Sequence, residues 1–448
     1  MSSLGKVDLG ALKKAESRIL DDIPDTWVKS TLGDCFEWGS GGTPRAGNSD
    51  YYNGEIPWLV IGDLNDSVVV ASGQTITREG LNNSSAKLVD EGTVLLAMYG
   101  SIGKLGIAGM RLATNQAIAF AIQNEIETKY LFYFLRYVRP NLKDLGKGAT
   151  QQNISQTVIK AFPFPLAPLN EQKRIVNKIE ELFSELENGI AALKTAREQL
   201  KVYRQSVLKH AFEGKLTARW REKNTSASWR LEKLGNLLAL LTSGSRGWAK
   251  YYSDSGDTFI RAQNLKYDRL DLDEKTFVAL PKKTEGRRTQ VQVGDVLVTI
   301  TGANVTKTGR VSADVGTAYV SQHVALCRPT EDIDSEFLHW FLVAESAGRK
   351  QLSKFAYGAG KPGLNLDNIR SVEINLPQLE EQYEIVNKLR ELLSIEENVS
   401  ACVDAELCRV ELIRQSILRK AFSGQLVAGG EVKGVKSEMG QGCSNEHS

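Results

Sequence analysis

LNEQKRIVNKIEELFSELENGIAALKTAREQLKVYRQSVLKHAFEGKL, from Leu169 to Leu216, is written a second time as LEEQYEIVNKLRELLSIEENVSACVDAELCRVELIRQSILRKAFSGQL, from Leu379 to Leu426. The offset is 210 residues at both ends (379 − 169 and 426 − 216), so neither copy has gained or lost a residue. Length itself is under constraint. In the first copy Ile175, Ile179, Leu182, Leu186, Leu193, Leu200, Tyr203 and Val207 follow alternating steps of three and four, interrupted by Gly189 and Ala196, which suit close approach of a partner helix. In the second copy Ile385, Leu389, Leu392, Val399, Val403, Val410, Ile413 and Ile417 keep that register, with Glu396 and Glu406 as polar interruptions. Each copy is predicted to be one long helix with a coiled-coil seam. The two copies are expected to pair, because a 3.5-residue period sustained for about six heptads needs a partner. An ordinary amphipathic surface helix would explain one stripe only.

Outward from the helices the rest of the chain also repeats. EGTVLLAMYG (Glu91 to Gly100) is answered by VGDVLVTITG (Val293 to Gly302) at an offset of 202, and NQAIAFA by SQHVALC (Ser321 to Cys327) at 206. GATQQNISQTVI is answered by GAGKPGLNLDNI (Gly358 to Ile369) at 210. The offset drifts through short β-type runs rich in Gly, Asn, Asp and Pro turns, and it locks in the helices. In the first half those runs are Ile56 to Leu64, Ser67 to Ala71, Gly92 to Gly100 and Asn115 to Ile122, followed by a helical run from Thr128 to Val138. FPFPLAPL (Phe162 to Leu169) can continue neither a helix nor a central strand and reads as an extended brace. The boundaries expected are an N-terminal segment 1–26, a β-rich domain 27–168, a helix 169–216, a polar linker 217–228, a second β-rich domain 229–378, a second helix 379–426 and a disordered tail 427–448. The fold class is α+β: two β-rich domains in a pseudo-twofold repeat, separated by two long coiled-coil helices.

Composition narrows the function by exclusion. With 448 residues, 42% hydrophobic and 25% charged, the chain is long enough for two or three domains of a soluble globular protein. No run approaches the roughly 18 apolar residues of a membrane span, and the N-terminus lacks the design of a signal peptide, so a cytoplasmic protein with no membrane partner is expected. Its net charge of +2 requires any nucleic-acid surface to gather its basic residues locally. Five cysteines match no zinc or redox spacing, and four histidines form no ligand pattern, so no metal is expected. There is no phosphate-binding G-x-x-x-x-G-K-[ST] loop. A G-x-G-x-x-G match at Gly358, Gly360 and Gly363 follows a helical segment and contains Pro362. Neither a catalytic nor a cofactor-binding residue is assigned.

What remains is a set of polar, glycine-rich loops at matching places in both halves. The first half offers Thr43, Arg45, Tyr51, Lys104, Gln151, Gln152 and Asn153; the second offers Ser245, Arg246, Lys250, Tyr251, Asn304, Lys307 and Lys361. Arg pairs bidentately with guanine, Asn and Gln with adenine, and Lys or glycine-flanked N–H groups hold phosphates. Single loops of this kind are usually plain turns. Their repetition makes them DNA-contact candidates, with Arg45, Arg246 and Lys250 foremost.

These marks together resemble the specificity subunits of type I restriction-modification enzymes, over about residues 27 to 426. The resemblance is carried by PLAPLNEQKRIV and LPQLEEQYEIV at the helix starts, the second lacking one proline, and by R-Q-S-[VI]-L-x-x-A-F-x-G-x-L at Arg204 and Arg414. It implies two target-recognition domains, each reading half of a split site in double-stranded DNA. It also implies antiparallel helices that set the spacer and dock two modification subunits. Methylation and cleavage would belong to those methyltransferase subunits and to restriction subunits, which use S-adenosylmethionine, ATP and Mg. Two alternatives stay open: a stand-alone sequence-specific DNA-binding coiled-coil protein, and the specificity component of a type I-like methyltransferase or phage-defence system without cleavage. An enzyme with an unrecognised site is a third.

Overall fold

Pro163 and Pro165 remove two N–H donors from one edge of an extended segment, so that segment can pair on its other edge only. The computed structural model describes residues 8–123, 125–146, 153–224, 228–266, 268–281, 286–356 and 363–427. In it Pro163–Leu166 runs antiparallel to Val28–Thr31, with Ser30 opposite Phe164. Glu373–Leu376 pairs in the same way with Arg230–Lys233. The expected brace is thus one strand of a two-stranded ribbon, and Phe162 and Phe164, flanking the first proline, are buried.

The chain divides into two units, Met1–Ala191 with Leu407–Ser448, and Ala192–Glu406. The division falls inside the long helices rather than at the expected domain ends, because each unit buries half of each helix against its own β-rich domain. In unit 1 a five-stranded sheet has the order Phe36–Ser40, Ile118–Gln123, Val94–Ala97, Leu105–Ala108, Val68–Val69. A second sheet has the order Thr75–Ile76, Tyr52–Leu59, Leu112–Thr114, Leu88–Val89, and includes a parallel pairing of Trp58 with Ala113. Unit 2 repeats the first plan with Leu238–Ser243, Val324–Pro329, Val296–Thr299 and Thr308–Arg310, and repeats the parallel pairing with Phe259 beside Tyr319. The expected runs Ser67 to Ala71 and Gly92 to Gly100 contain shorter strands, Ile56 to Leu64 and Asn115 to Ile122 overlap Tyr52–Leu59 and Ile118–Gln123, and the helical run is the helix Thr128–Tyr137. The N-terminal helix Leu9–Leu20 is capped by Asp8, whose side chain accepts from Gly10 and Ala11 N–H, and it buries Leu12, Ala15, Ile19 and Leu20 in the unit 1 core.

The two long helices are Leu169–Phe212 and Leu379–Phe422, 44 residues each. In unit 1 the contacting pairs Glu187–Arg414 and Arg174–Val427 both sum to 601; in unit 2 Arg197–Asp404 and Arg204–Glu397 do as well. A constant sum is the signature of antiparallel pairing, in one register for both units. The seam differs in detail from the expected one. Buried or half-buried positions run Ile175, Ile179, Leu182, Leu186, Ile190, Leu193, Ala196, Leu200, Arg204, Val207, Ala211, which is 36 residues in ten steps, or 3.6 per step. The seam keeps the heptad positions Leu193, Ala196, Leu200 and Val207 but takes Ile190, Arg204 and Ala211 in place of Gly189, Tyr203 and His210. Gly189 and Tyr203 are therefore exposed, as are Val399, Glu406 and Ile413 on the partner helix, and a Cβ at Gly189 would meet nothing within 4 Å. Arg204 occupies a seam position and pairs at 2.9 Å with Glu396, the polar interruption, which is 8% exposed.

Each long helix is clamped at its start by the glutamine of its E-Q pair. Gln172 accepts from Glu127 N–H at 2.9 Å and donates to Ala167 O at 2.7 Å. Gln382 accepts from Asp334 N–H at 2.8 Å and donates to Asp332 O and Pro377 O. At their ends the helices insert equivalent phenylalanines. Phe422 packs on Tyr130, Phe134 and Tyr137, and Phe212 packs on Phe337 and Phe341.

Candidate nucleic-acid interface

In each unit three segments are drawn to one edge of the main sheet by backbone bonds. The first leaves the strands Phe36–Ser40 and Leu238–Ser243 at a glycine. Gly42 N–H bonds to Thr114 O and Gly244 N–H to Ser321 O. A Cβ on Gly42 would collide with Ser85, and one on Gly244 with the Val320 carbonyl, so only glycine lets the chain approach this closely. Beyond the glycine the loop carries Thr43 and Arg45, or Ser245 and Arg246, and then turns through Ser49–Tyr51 or Trp248–Tyr251. Its far end is fixed alike in both units: Tyr51 O accepts from Thr77 N–H and Tyr251 O from Ala279 N–H. In unit 1 Tyr52 Oη also donates to Pro44 O at 2.6 Å.

The second segment is the hairpin loop from Ala97 to Lys104, or from Thr299 to Lys307. Ala97 N–H bonds to Lys104 O and Thr299 N–H to Lys307 O; Gly103 N–H bonds to Ala97 O and Thr306 N–H to Thr299 O. Gly103 has φ +83° and Thr306 φ +72°, so the same left-handed residue turns both loops. The third segment is the turn Asn115–Ala117 or Ser321–His323. It meets the hairpin loop through Met98 N–H to Ala117 O and Ile300 N–H to His323 O. Opposite it, Tyr99 bridges Asn153 and Thr301 bridges Gly363.

These segments carry most of the sequence-derived residues, but not all in the same role. Arg45 and Arg246 are exposed with no ion pair among the described residues, which leaves both guanidiniums free to meet a ligand. Thr43 donates its hydroxyl to Gln116 Oε1, joining the first and third segments. Lys250 lies over the Tyr251 ring at 5.0 Å. Asn153 and Asn304 are exposed, and Ser245 and Tyr51 are half-buried. Lys104 instead donates its ammonium to Ile61 O at 3.2 Å and Gly62 O at 3.3 Å, which makes it a tie between loops. Lys307 faces a cleft of about 1260 Å³ in unit 2, together with Arg204, Arg310, His339, Trp340 and Arg349. Gln151, Gln152 and Lys361 lie outside the described residues, as does the tail from 428.

Sequence reasoning missed Gln116, Gln322, His323 and Tyr99. The structure brings Gln322 Nε2 to His323 Nε2 at 3.1 Å and the Thr301 hydroxyl to His323 Nδ1. Gln116 and Gln322 could have been found, since they sit at the same place in the NQA and SQH copies. Chemically, the exposed set is guanidinium, amide, hydroxyl and imidazole on glycine-pinned loops, the kind of groups that read base edges and hold phosphates. Among the described residues no three His, Cys, Asp or Glu side chains are grouped to hold a metal, and no helix is long and apolar enough to cross a membrane.

A family model described as type I restriction modification DNA specificity domain matches residues 24–194 and 243–403. The chain is 28% identical over 300 residues to the specificity subunit of the type I restriction enzyme EcoKI from Escherichia coli (strain K12), covering 65% of this chain and 63% of that one. It is 28% identical over 366 residues to the StySPI specificity subunit from Salmonella potsdam, with 78% of each chain covered. The chain thus spans just under two thirds of the first relative's length and more of the second's. Its fold resembles that of the HsdS subunit from Thermoanaerobacter tengcongensis, with a TM-score of 0.57, 20% identity, and 90% of this chain and 98% of that one covered. It also resembles a chain from a solved structure on complex assembly and conformational transition of the type I R-M system, with a TM-score of 0.69, 19% identity, and 90% and 99% covered.

Proposed function

This chain belongs to the type I restriction modification DNA specificity family, and on that footing we propose that it is the non-catalytic, DNA-reading subunit of a type I restriction-modification complex in the cytoplasm. Each unit reads one half of a bipartite site in double-stranded DNA, through the edge where its three segments meet. The long helices set the spacer between the halves and dock two modification subunits. Those partners bring S-adenosylmethionine for methyl transfer, and restriction subunits bring ATP and Mg for translocation and cleavage.

The observation that carries this reading is the recurrence of one pinned-loop plan in a single chain with different side chains at its tips. The same backbone bonds hold Thr43, Arg45, Tyr99 and Gln116 in one unit and Ser245, Arg246, Thr301 and Gln322 in the other. Two readers on a shared plan, each with its own tip chemistry, suit an asymmetric split site.

The test is methylation by the complex of this chain with its modification subunit. Arg45→Ala is expected to weaken recognition of one half-site and Arg246→Ala that of the other, each by about 1 to 3 kcal/mol for a bidentate contact to guanine. Binding to competitor DNA changes less. Equal loss on every sequence would make the residue a phosphate contact. Methyl transfer by the purified single chain would overturn the non-catalytic role.

A further inference from the structure

Beneath each hairpin loop lies an ion pair that the sequence does not announce. In unit 1 Arg139, the first residue of the helix Arg139–Asp144, grips the Asp66 carboxylate with both terminal nitrogens, Nη1 at 2.9 Å and Nη2 at 2.6 Å. In unit 2 Arg349, in the helix Gly348–Phe355, grips Asp268 with the same two nitrogens, Nη1 at 3.1 Å and Nη2 closer. The two aspartates are 202 residues apart and the two arginines 210, the offsets of the sheet repeat and of the helix repeat.

Both aspartates are left-handed, φ +61° at Asp66 and +59° at Asp268, a conformation that strains a non-glycine residue. The pair therefore holds strained backbone in the same place twice. What it holds is the base of the reading loop. Asp66 N–H bonds to Leu105 O, and Asp66 Oδ1 accepts from Leu105 N–H at 3.0 Å, which ties the aspartate to the residue that follows the loop. A Cβ on Gly103 would sit 2.7 Å from Arg139 Cγ, so the guanidinium stem is packed directly against the loop's left-handed residue. In unit 2 Arg349 Nη2 donates at 3.5 Å to the carbonyl of Thr306, the equivalent left-handed residue. Burial works against the charged Asp66, but the Arg139 N–H donors and the Leu105 N–H outweigh it and hold the carboxyl below the usual carboxylate range.

A partly buried ion pair is weak evidence for stability, since desolvation offsets much of its attraction. The contrast between base and tip says more. The Arg–Asp pair and the bonds that close the loop, Ala97 or Thr299 N–H to Lys104 or Lys307 O, recur in both units, whereas the tips, Tyr99-Gly100-Ser101 against Thr301-Gly302-Ala303-Asn304, differ in sequence and by one residue in length. Geometry is kept where side chains are free to vary.

We propose that Arg139 with Asp66, and Arg349 with Asp268, are positioning pairs that fix the hairpin tips at the reading edge, so that each pair governs discrimination at its own half-site without touching DNA. The inference rests on the reading of these loops as DNA-facing. Tip placement matters because hydrogen-bond readout of a base edge is lost with small displacements.

The experiment uses the full chain in complex with its modification subunit and compares methylation rates on the cognate site and on sites with one mismatch in either half. Arg139→Lys keeps the charge but loses the two-pronged grip. It is expected to lower discrimination in one half by roughly tenfold and to leave the other half unchanged. Arg349→Lys gives the mirror result. Should Arg139→Lys not assemble, Asp66→Asn keeps the shape and removes the charge, with the same half-selective outcome expected. Equal loss in both halves, or unchanged discrimination in both, overturns the proposal. Tyr99→Ala and Asn304→Ala separate the two levels. If the tip variants alter discrimination and the arginine variants do not, the positioning role alone fails; if no tip variant alters it, the loops do not read DNA.

Discussion

Lys129 and Glu180 form an ion pair at 2.5 Å between the helix Thr128–Tyr137 and the first long helix, and at the equivalent places in unit 2 the charges are exchanged: Glu336 pairs with Arg390 at 2.6 Å. The equivalence follows from the repeat, 129 + 207 = 336 and 180 + 210 = 390, the first offset being that of Glu127 and Asp334, which receive the two clamping glutamines. Each β-rich domain is thus matched in sign to its own long helix. Glu180→Arg is expected to destabilise unit 1 by about 1 kcal/mol, because Lys129 and Glu180 are both partly exposed and solvent screens the pair. Lys129→Glu combined with Glu180→Arg is expected to restore most of it. Urea unfolding of the three variants checks this, and a double variant no better than the single one would show that the pair does not contribute.

His339 supplies a pH test. It is buried beside Asp268, Arg310, Glu336 and Arg349, and burial pulls its pKa down to about 4. The folded state therefore holds it neutral, while the unfolded chain takes up a proton below about 6.5. Stability is expected to fall as pH drops from about 6.5 to about 4, by up to about 3 kcal/mol from this residue. Phe132 stands at the equivalent place in unit 1, so His339→Phe is a substitution the fold accommodates there, and it should abolish this part of the slope. Thermal unfolding at pH 7, 5.5 and 4.5, wild type against variant, measures it; parallel curves would exclude His339 as the cause.

Helix length is expected to set the spacer between the half-sites. Four residues inserted near Thr195 add about 6 Å at 1.5 Å per residue, equal to roughly 1.7 base pairs. Methylome sequencing should then find both half-sequences kept and the spacer one or two pairs wider. An unchanged spacer in an active complex would show that helix length does not set the distance.

The repeat was legible in the sequence because the offset of 210 needs no structure to see, and it carried the fold class, the two domains and both long helices. Burial along the helices was less legible. Strict heptads put Gly189 and Tyr203 on the seam, while the positions covered in the structure are Ile190 and Arg204, one residue on. At the candidate interface the sequence could name residue types but not their engagements. Arg45 and Lys104 look alike as cations in glycine-rich loops, yet one is free in solvent and the other is bound to two carbonyls, a difference set by where Ile61 and Gly62 fold. Asp66 and Arg139 were invisible for the same reason: 73 residues separate them, and nothing local marks either.

A fragment ending near Asn224 is expected to form an antiparallel dimer, and with the modification subunit it should methylate a palindrome built from one half-sequence. The helix register supports this, because Glu187 and Arg204 are the counterparts of Glu397 and Arg414 and can pair across the dimer as Arg204–Glu397 and Arg414–Glu187 do in the full chain. A second set of groups is also ready. In unit 2 the buried Glu381 accepts from Thr217 at 2.6 Å, Arg221 at 2.5 Å and Trp229 at 2.9 Å. In unit 1 the equivalent Trp27 Nε1 is buried without a partner among the described residues, and the equivalent carboxylate is Glu171. In the dimer Glu171 can take Trp27 from its own chain and Thr217 and Arg221 from the other. Size-exclusion chromatography with light scattering, and methylome sequencing, test this together; a monomeric soluble fragment, or methylation of the original asymmetric site, would falsify it.

The exchanged charges at Lys129–Glu180 and Glu336–Arg390 contrast with the two phenylalanines at the helix ends, which are the same residue in the same role. The sign of this joint ties a domain to the helix half that follows it, while the phenylalanine from the helix half that arrives from the other copy is common to both units. Recombination can therefore move a domain with its following half-helix into a new chain and keep this joint matched, provided the crossover falls near the helix midpoint. A crossover at the domain edge would leave Lys129 facing Arg390 or Glu336 facing Glu180, and such a hybrid would inherit a new sequence preference together with a weakened joint.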